Sequence, residues 1–252
     1  MKTQSDETAR LSFEGHEFEL SVGRAFFPTD TTRLLIQCSL PQINQSSRVL
    51  DLGCGSGVVG LIIAHLRSLP AVSLSDVHTE TLPNVKRNFE QYGYRFDFRL
   101  GDVFEPWQGE RFDVIVDDVS GVAEPVAVHS RWFQGVPCSS GKDGTELVTR
   151  VVREAPEHLN ASGKLIFPII SLSNSQKILE VARRHFKRVD KVASKDWPMP
   201  PELLTHTELL ADLEKQGCIT LIRKYGLLLG RTEVYVAEEP NSLLSLGPSG
   251  GK

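Results

Sequence analysis

The chain has 252 residues, 40% of them hydrophobic and 24% charged, with a formal charge of −4. That balance excludes a disordered, collagen-like or membrane-embedded polypeptide. The acidic sign gives no global field for nucleic acid. Residues 1–10 are polar, without the apolar core of a secretory leader, and the longest nearly apolar run, residues 58–64, is far shorter than the about 20 residues of a membrane span. Four scattered cysteines (Cys38, Cys54, Cys138 and Cys218) form no CxxC pair, which suits a reducing cytoplasm and gives no zinc signature.

Residues 11–20 alternate apolar and polar around Gly15 and predict a short hairpin. A helix is predicted over 29–40, opened by Thr29 and Asp30 as candidate N-caps. From Arg48 the pattern becomes strand, glycine turn and helix, repeated. Strands are predicted at 48–52, 71–76, 96–102, 112–118 and 164–170, and helices at 58–66, 79–92, 143–159 and 174–186. A long loop with several glycines and prolines fills 119–141. After Arg188 come a strand at 187–194, an extended WPMPP (197–201), a helix at 202–217 and a final hairpin from CITLIRK and TEVYVAE.

Such alternation predicts an α/β fold: a doubly wound, mostly parallel seven-stranded sheet closed by a C-terminal antiparallel hairpin. Residues 1–44 would be a hairpin and helix covering the active site, 45–238 a cofactor-binding domain with an insertion at 197–217, and 239–252 a disordered tail.

The sharpest motif is VLDLGCGSGVVGL at 49–61. A buried strand runs into Gly53, Gly55 and Gly57, and a helix starts at once. Glycines allow a tight turn and close approach of a ligand, and a helix N-terminus offers free, partly positive amides. Two cofactors compete for this turn. Gly55, Gly57 and Gly60 satisfy the G-x-G-x-x-G dinucleotide fingerprint, with Asp76 about 20 residues on. Asp51, just before the glycines, argues instead for S-adenosylmethionine, because a carboxylate there repels a pyrophosphate but can order the turn and hold a cationic amino acid group. Asp102, after Gly101, suits an acceptor for an adenine amino group. The remaining alternative is a glycine-rich turn with no cofactor.

The segment 45–190 resembles the class I S-adenosylmethionine-dependent methyltransferases. Asp51, Gly53, Gly55 and Gly57 match that family's first motif, with Cys54 a small packing residue inside it. The resemblance implies that Asp76, with Val77 beside it, holds the ribose hydroxyls, and that Asp102 and Val103 frame the adenine. Asn88 and Gly93 are similar to the end of the family's second helix. GRAFFPTDTTRLL (23–35), in which Thr31 is a candidate cofactor contact, and residues 141–165 resemble the narrower HemK/PrmC-like group of glutamine and nucleobase N-methyltransferases.

After its fourth strand that group carries Asn-Pro-Pro-Tyr or Asp-Pro-Pro-Tyr. Here Asp117, a candidate cofactor contact, closes the strand, and Asp118, Val119, Ser120 and Gly121 follow. The acid survives; the prolines and the aromatic do not, which counts against glutamine or adenine as acceptor. Asp118, Ser120 and His129 are the catalytic candidates, since a carboxylate or imidazole can take a proton from an amine or hydroxyl. Trp132 and Trp197 are candidate wall residues. Methyl transfer from a sulfonium needs alignment and exclusion of water rather than a metal or a protein nucleophile, so no metal site is predicted.

A small molecule is the favoured acceptor, on the acidic charge and the altered motif. A protein or peptide side chain is the runner-up, followed by RNA. An NAD-dependent oxidoreductase and a non-catalytic cofactor binder are the readings from other classes. The basic stretch 177–195 is read as a solvated face.

Overall fold

The computed structural model describes residues 7–22, 27–133 and 138–241. The first hairpin pairs β1 (Thr8–Phe13) with β2 (His16–Ser21), turning at Glu14 and Gly15, both with positive φ. Helix α1 (Asp30–Ser39) starts at Thr29, whose hydroxyl accepts from the Thr31 and Thr32 amides, and Thr32 returns a bond to the Thr29 backbone, closing a capping box. Then come β3 (Val49–Leu52), α2 (Val58–Arg67), β4 (Ala71–Asp76), α3 (Leu82–Tyr92), β5 (Arg95–Leu100) and β6 (Phe112–Asp117).

The segment read as a loop over 119–141 carries a one-turn helix, α4 (Glu124–Ala127), and a 3-10 turn at Arg131–Phe133. Beyond it lie α5 (Glu146–Glu154), β7 (Leu159–Ile170), α6 (Ser175–His185) and β8 (Phe186–Pro198). The single helix predicted at 202–217 is two, α7 (Pro201–Leu204) and α8 (Thr207–Lys215), broken where His206, at φ −116° and ψ 38°, leaves helical geometry. The final hairpin is β9 (Ile222–Lys224) and β10 (Leu227–Pro240). Because β10 runs to Pro240 and the Asn241 amide donates to the His185 carbonyl at 2.8 Å, ordered backbone continues past the predicted boundary at 238. Residues 242–252 of the expected tail lie outside the described residues.

The main sheet has the order β5-β4-β3-β6-β7-β10-β8, with β9 added on β10. Neighbouring pairs from β5 to β7 are parallel, and β10 runs antiparallel to β7, β8 and β9. This is the doubly wound sheet predicted, with β9 as an eighth strand. Successive residues of a strand face opposite sides. Thus Val49, Val114 and Val116 enter a core under α1, α2, α3 and the first hairpin, while Leu50, Leu52 and Ile115 enter a second core under α5 and α6. A third cluster, separate from both, joins Val122, Ala123, Val126 and Ala127 to Met199, Leu203, Leu210, Leu213 and Ile219. The insertion after β8 is therefore packed on the segment after β6. No helix among the described residues is long and apolar enough to cross a membrane.

The basic stretch is largely neutralised. Lys177 meets Asp143 at 2.9 Å, Lys191 meets Glu233 at 2.9 Å, Lys195 meets Asp30 at 3.2 Å, and Arg188 pairs with Glu238. Three of these lie on β8, at the sheet's edge, where charged side chains also discourage pairing with another chain.

Candidate active site

The carboxyl ends of β3, β4 and β6 open into a cavity of about 1300 Å³. Parallel strands with crossover helices leave a crevice at this edge, on either side of the point where strand order reverses. Here that point lies between β3 and β6.

The floor is the glycine turn after β3. Gly53, Gly55 and Gly57 all have positive φ, at 73°, 51° and 76°, a region that side chains with a Cβ rarely enter. The Gly53 and Cys54 amides donate to the Ser75 carbonyl at 2.9 and 3.0 Å, and the Gly57 amide to the Cys54 carbonyl at 2.7 Å. The turn is fixed from two sides by acids. Asp76 Oδ2 accepts from the Gly55 amide and its Oδ1 from the His78 amide, both at 2.8 Å. Asp51 Oδ2 accepts from the Gly60 amide in the first turn of α2, at 2.8 Å. That contact needs the glycine, since a Cβ at residue 60 would lie 2.6 Å from Leu74 and 3.0 Å from Asp51 Oδ2.

Thr31, Gly53, Cys54, Gly55, Asp76, Val77, Asp102 and Val103 all line the cavity. Val77 is 57% exposed, an apolar face turned to the opening. Asp102 is held by Arg150 of α5, Nη1 to Oδ2 at 2.5 Å. Val103 has φ 48°. A β-branched residue in the left-handed region is strained, and the strain sits where the chain turns back beside the cavity. Cys54 is buried and its thiol is pushed well above its ordinary value, first by burial and then by Asp51 and Asp76, which leaves it uncharged and fits a packing role.

Three predicted cofactor residues are placed beneath the cavity rather than on its wall. Gly57 caps α2 against Phe89. Asp51 and Asp117 are completely buried, and desolvation raises each carboxyl to about 7. Asp117 Oδ1 accepts from the Val119 amide at 3.1 Å, while Asp117 Oδ2 and Asp51 Oδ1 have no hydrogen-bond partner. Their direct role is to hold the turn after β3 and the chain after β6.

The same cavity is lined by Asp118, Ser120, Trp132 and Trp197. The Asp118 amide donates to the Leu52 carbonyl at 3.0 Å, which ties this segment to β3. Its carboxylate accepts from the Thr32 hydroxyl, yet burial and then the charges of Asp51 and Asp117 drive its pKa well upward. Ser120 reaches the Cys138 thiol. His129 is a correction: it is exposed, does not line the cavity, and stacks on His206 with ring centroids 3.8 Å apart. The one-turn helix α4, absent from the predicted elements, carries it outward to the insertion.

Several residues that position the site carry no local motif. Thr32 and Arg150 act on Asp118 and Asp102 across the fold. Thr232 of β10 bonds Thr31, Oγ1 to Oγ1 at 2.8 Å. Asn88, predicted only as part of a helix end, is fully buried, and its amide donates to the Ser21 and Ser56 carbonyls at 2.8 and 2.9 Å. One side chain thus joins the first hairpin, α3 and the glycine turn. An Asn four residues from the end of α3 was the available signal, but its partners are 67 and 32 residues away.

The residues present fit S-adenosylmethionine. Free space lies above Gly55, where a Cβ would meet nothing within 4 Å. Asp76 and Asp102, the acids that the resemblance assigns to the ribose and the adenine, both line the cavity, and its volume leaves room for an acceptor besides. Among the described residues no group of three or more His, Cys, Asp or Glu is arranged to hold a metal.

Comparison with known proteins agrees with this geometry. Residues 29–118 match the model of the methyltransferase small domain. A ribosomal protein uL3 glutamine methyltransferase from Bradyrhizobium diazoefficiens is 33% identical over 129 residues, covering 48% of this chain and 40% of the relative. A release factor glutamine methyltransferase from Geobacter sulfurreducens is 29% identical over 146 residues, covering 55% and 51%. The chain thus spans about half the length of the curated relatives it matches. Among solved structures, the ribosomal protein L11 methylase from Lactobacillus delbrueckii subsp. bulgaricus aligns with a TM-score of 0.53 at 17% identity, covering 87% of this chain and 84% of that one. The T. thermophilus 16S rRNA N2 G1207 methyltransferase, solved with S-adenosylmethionine and guanosine, aligns with a TM-score of 0.58 at 14% identity, covering 92% and 50%.

Proposed function

We propose, for a chain that carries a methyltransferase small domain on the class I S-adenosylmethionine-dependent methyltransferase fold, that it methylates a side-chain nitrogen of a protein or peptide. The carrying observation is that the glycine turn, Asp76 and Asp102 share one cavity of about 1300 Å³ with Asp118, Ser120, Trp132 and Trp197, which leaves room for a donor and an acceptor side by side. The small-molecule acceptor favoured by the acidic charge finds no support among the relatives, whose names print a ribosomal protein and a release factor as substrates. Those names bring the protein side chain to the front.

S-adenosylmethionine supplies an already activated methyl group when bound. The chain has to align the acceptor, exclude water and take up the proton the nitrogen loses. Asp118 is the group proposed to hold the acceptor N–H, with Thr32 fixing its carboxylate. Its upward pKa comes from burial and two neighbouring acids, so a cation in the cavity lowers it and leaves a base where the proton is released. Ser120 offers a second polar contact. The segment after β6 and the insertion after β8, packed together by the third core, are proposed as the cover over the acceptor.

The test is transfer of tritiated methyl from S-adenosylmethionine into an extract of the source cells, followed by separation into protein, RNA and small molecules. Label in protein, recovered after hydrolysis as an N-methylated side chain, supports the proposal. Label confined to RNA or to the small-molecule fraction overturns it.

A further inference from the structure

The first hairpin is tied to α2 near both of that helix's ends. At the C-terminal end, His65 Nε2 and His16 Nδ1 share a hydrogen bond at 3.1 Å, and the other ring nitrogen of His65 is bonded to the Tyr94 hydroxyl at 3.3 Å. At the N-terminal end, the Ser21 amide donates to Asn88 Oδ1 at 2.7 Å, and Asn88 Nδ2 donates back to the Ser21 carbonyl and across to the Ser56 carbonyl in the glycine turn. The spans agree. The strand from His16 to Ser21 covers about 17 Å, and the mostly helical chain from Ser56 to His65 about 14 Å. β2 thus bridges α2, with a histidine pair at one end and the glycine turn at the other.

Of these ties, the histidine pair is the one that a proton can undo. Rings close around His65: Phe18 and Tyr94 meet it edge-on with centroids 5.1 and 5.7 Å away, and Tyr92 stands at 6.2 Å. Burial, and then His16, push the His65 imidazole below its ordinary value. A ring nitrogen accepts only while it carries no proton. One proton added to the pair still leaves an N–H facing a lone pair, but a second sets two cations and two N–H groups face to face. Among the described residues neither ring has a carboxylate partner to offset that. Glu14, at the hairpin turn, is paired with Arg67 of α2 at 3.3 Å. Alternation along β2 turns Glu17 and Glu19 to its other face, where Glu19 meets Arg10 at 3.5 Å. From α3 and the turn beyond it come the phenols Tyr92 and Tyr94.

We propose that His16 and His65 are positioning residues for the methyl donor: their contact holds the first hairpin so that Asn88 keeps Ser56, and with it the glycine turn, in the shape that receives the cofactor, and protonation of both rings releases it. Ser56 lines the cavity, so the effect falls on the donor, whichever acceptor the site takes. The sign follows from the lowered imidazole. The contact is intact at neutral pH and is lost as pH falls through the folded value of His65.

Two variants of His16, an exposed residue, test this. His16→Asn sets an amide where Nδ1 stood and keeps a hydrogen bond without a titrating ring; His16→Ala removes the bond. S-adenosylhomocysteine affinity is measured by calorimetry at about pH 7.5 and about pH 5, on either side of the imidazole range. At the higher pH the unaltered protein and His16→Asn should agree, and His16→Ala should bind about threefold more weakly, within what one hydrogen bond contributes. At the lower pH the unaltered protein should fall to the level of His16→Ala while His16→Asn stays about threefold tighter. Titration of Asp51, Asp117 and Asp118 is common to the three proteins and cancels in these ratios. Amide exchange in the cofactor-free protein is the second readout: at about pH 5, residues 16–21 and 54–57 should exchange faster in the unaltered protein than in His16→Asn. Parallel affinity profiles for the unaltered protein and His16→Asn overturn the proposal, as do equal exchange in the two or His16→Ala binding that matches the unaltered protein at the higher pH.

Discussion

The Gly55 amide donates to Asp76 Oδ2 at 2.8 Å, so the turn after β3 and the acid that closes β4 form one rigid unit. Gly55→Val breaks it in two ways: its φ of 51° is hostile to a branched residue, and the new side chain enters the space above the turn. S-adenosylhomocysteine binding measured by calorimetry is expected to be lost, while the two main cores keep the protein folded by circular dichroism. Tight NAD binding by the unaltered protein, with none of S-adenosylhomocysteine, would contradict the assignment of this turn.

In the proposed function Asp118 serves the acceptor rather than the adenosine. Asp118→Asn retains the Thr32 contact but not the base. Cofactor affinity should stay within about twofold while the methyl transfer rate falls on the order of 100-fold, the usual size for removal of a general base. An equal loss of cofactor affinity would tie Asp118 to the donor instead.

Burial sets a pH dependence with a definite sign. Burial pushes the Asp51 and Asp117 carboxyls up to about 7 in the folded chain, above the ordinary carboxylate range of an unfolded one, so between those values the folded state binds more protons than the unfolded state. Stability contributed by these groups is full below the unfolded value and is lost as pH rises through about 7. The acids Glu110, Glu214 and Asp196, lowered chiefly by their Arg partners, act in the opposite sense at more acidic pH, so the window to read is pH 5 to 8. The melting temperature of the cofactor-free protein should fall across it, and Asp117→Asn should flatten the fall. A melting temperature that rises over this range in both proteins would show that neither acid is protonated.

Arg150 holds Asp102 at 2.5 Å and also meets Glu154 at 3.0 Å. Both contacts are partly exposed, where ion pairs contribute little to stability, about 0–1 kcal/mol. Arg150→Met should therefore leave the melting temperature nearly unchanged but let the Asp102 carboxylate move. The expected outcome is a several-fold weaker S-adenosylhomocysteine affinity in titration calorimetry. Unchanged cofactor affinity would make Arg150 an ordinary surface cation.

What could be read in the sequence was local. The glycine turn, the acids at strand ends and the alternation of strand and helix are each written within a dozen residues, and the turn geometry follows directly from residue type at Gly53, Gly55 and Gly57. What escaped depended on distant partners. His129 was placed in the pocket because it follows β6 in sequence, but the short helix α4 turns it outward onto His206, 77 residues later in the numbering. Asp51 and Asp117 were assigned to the ligand because they stand in the motif, whereas strand alternation buries both below the wall. The break between α7 and α8 was hidden because Leu203, Leu210 and Leu213 keep an apolar face on both sides of it. Gly230 is a lone glycine in a strand, and only the ladder register, which sets it opposite Trp197, reveals the ring it accommodates.

The third core has an evolutionary consequence. Donor recognition is built from strand ends that share two cores with the whole sheet, so a change there disturbs everything at once. The cover proposed for the acceptor rests on a cluster of its own, assembled from the segments after β6 and β8. Those two stretches can be rewritten together, as a cassette, while the machinery that grips the donor is inherited intact.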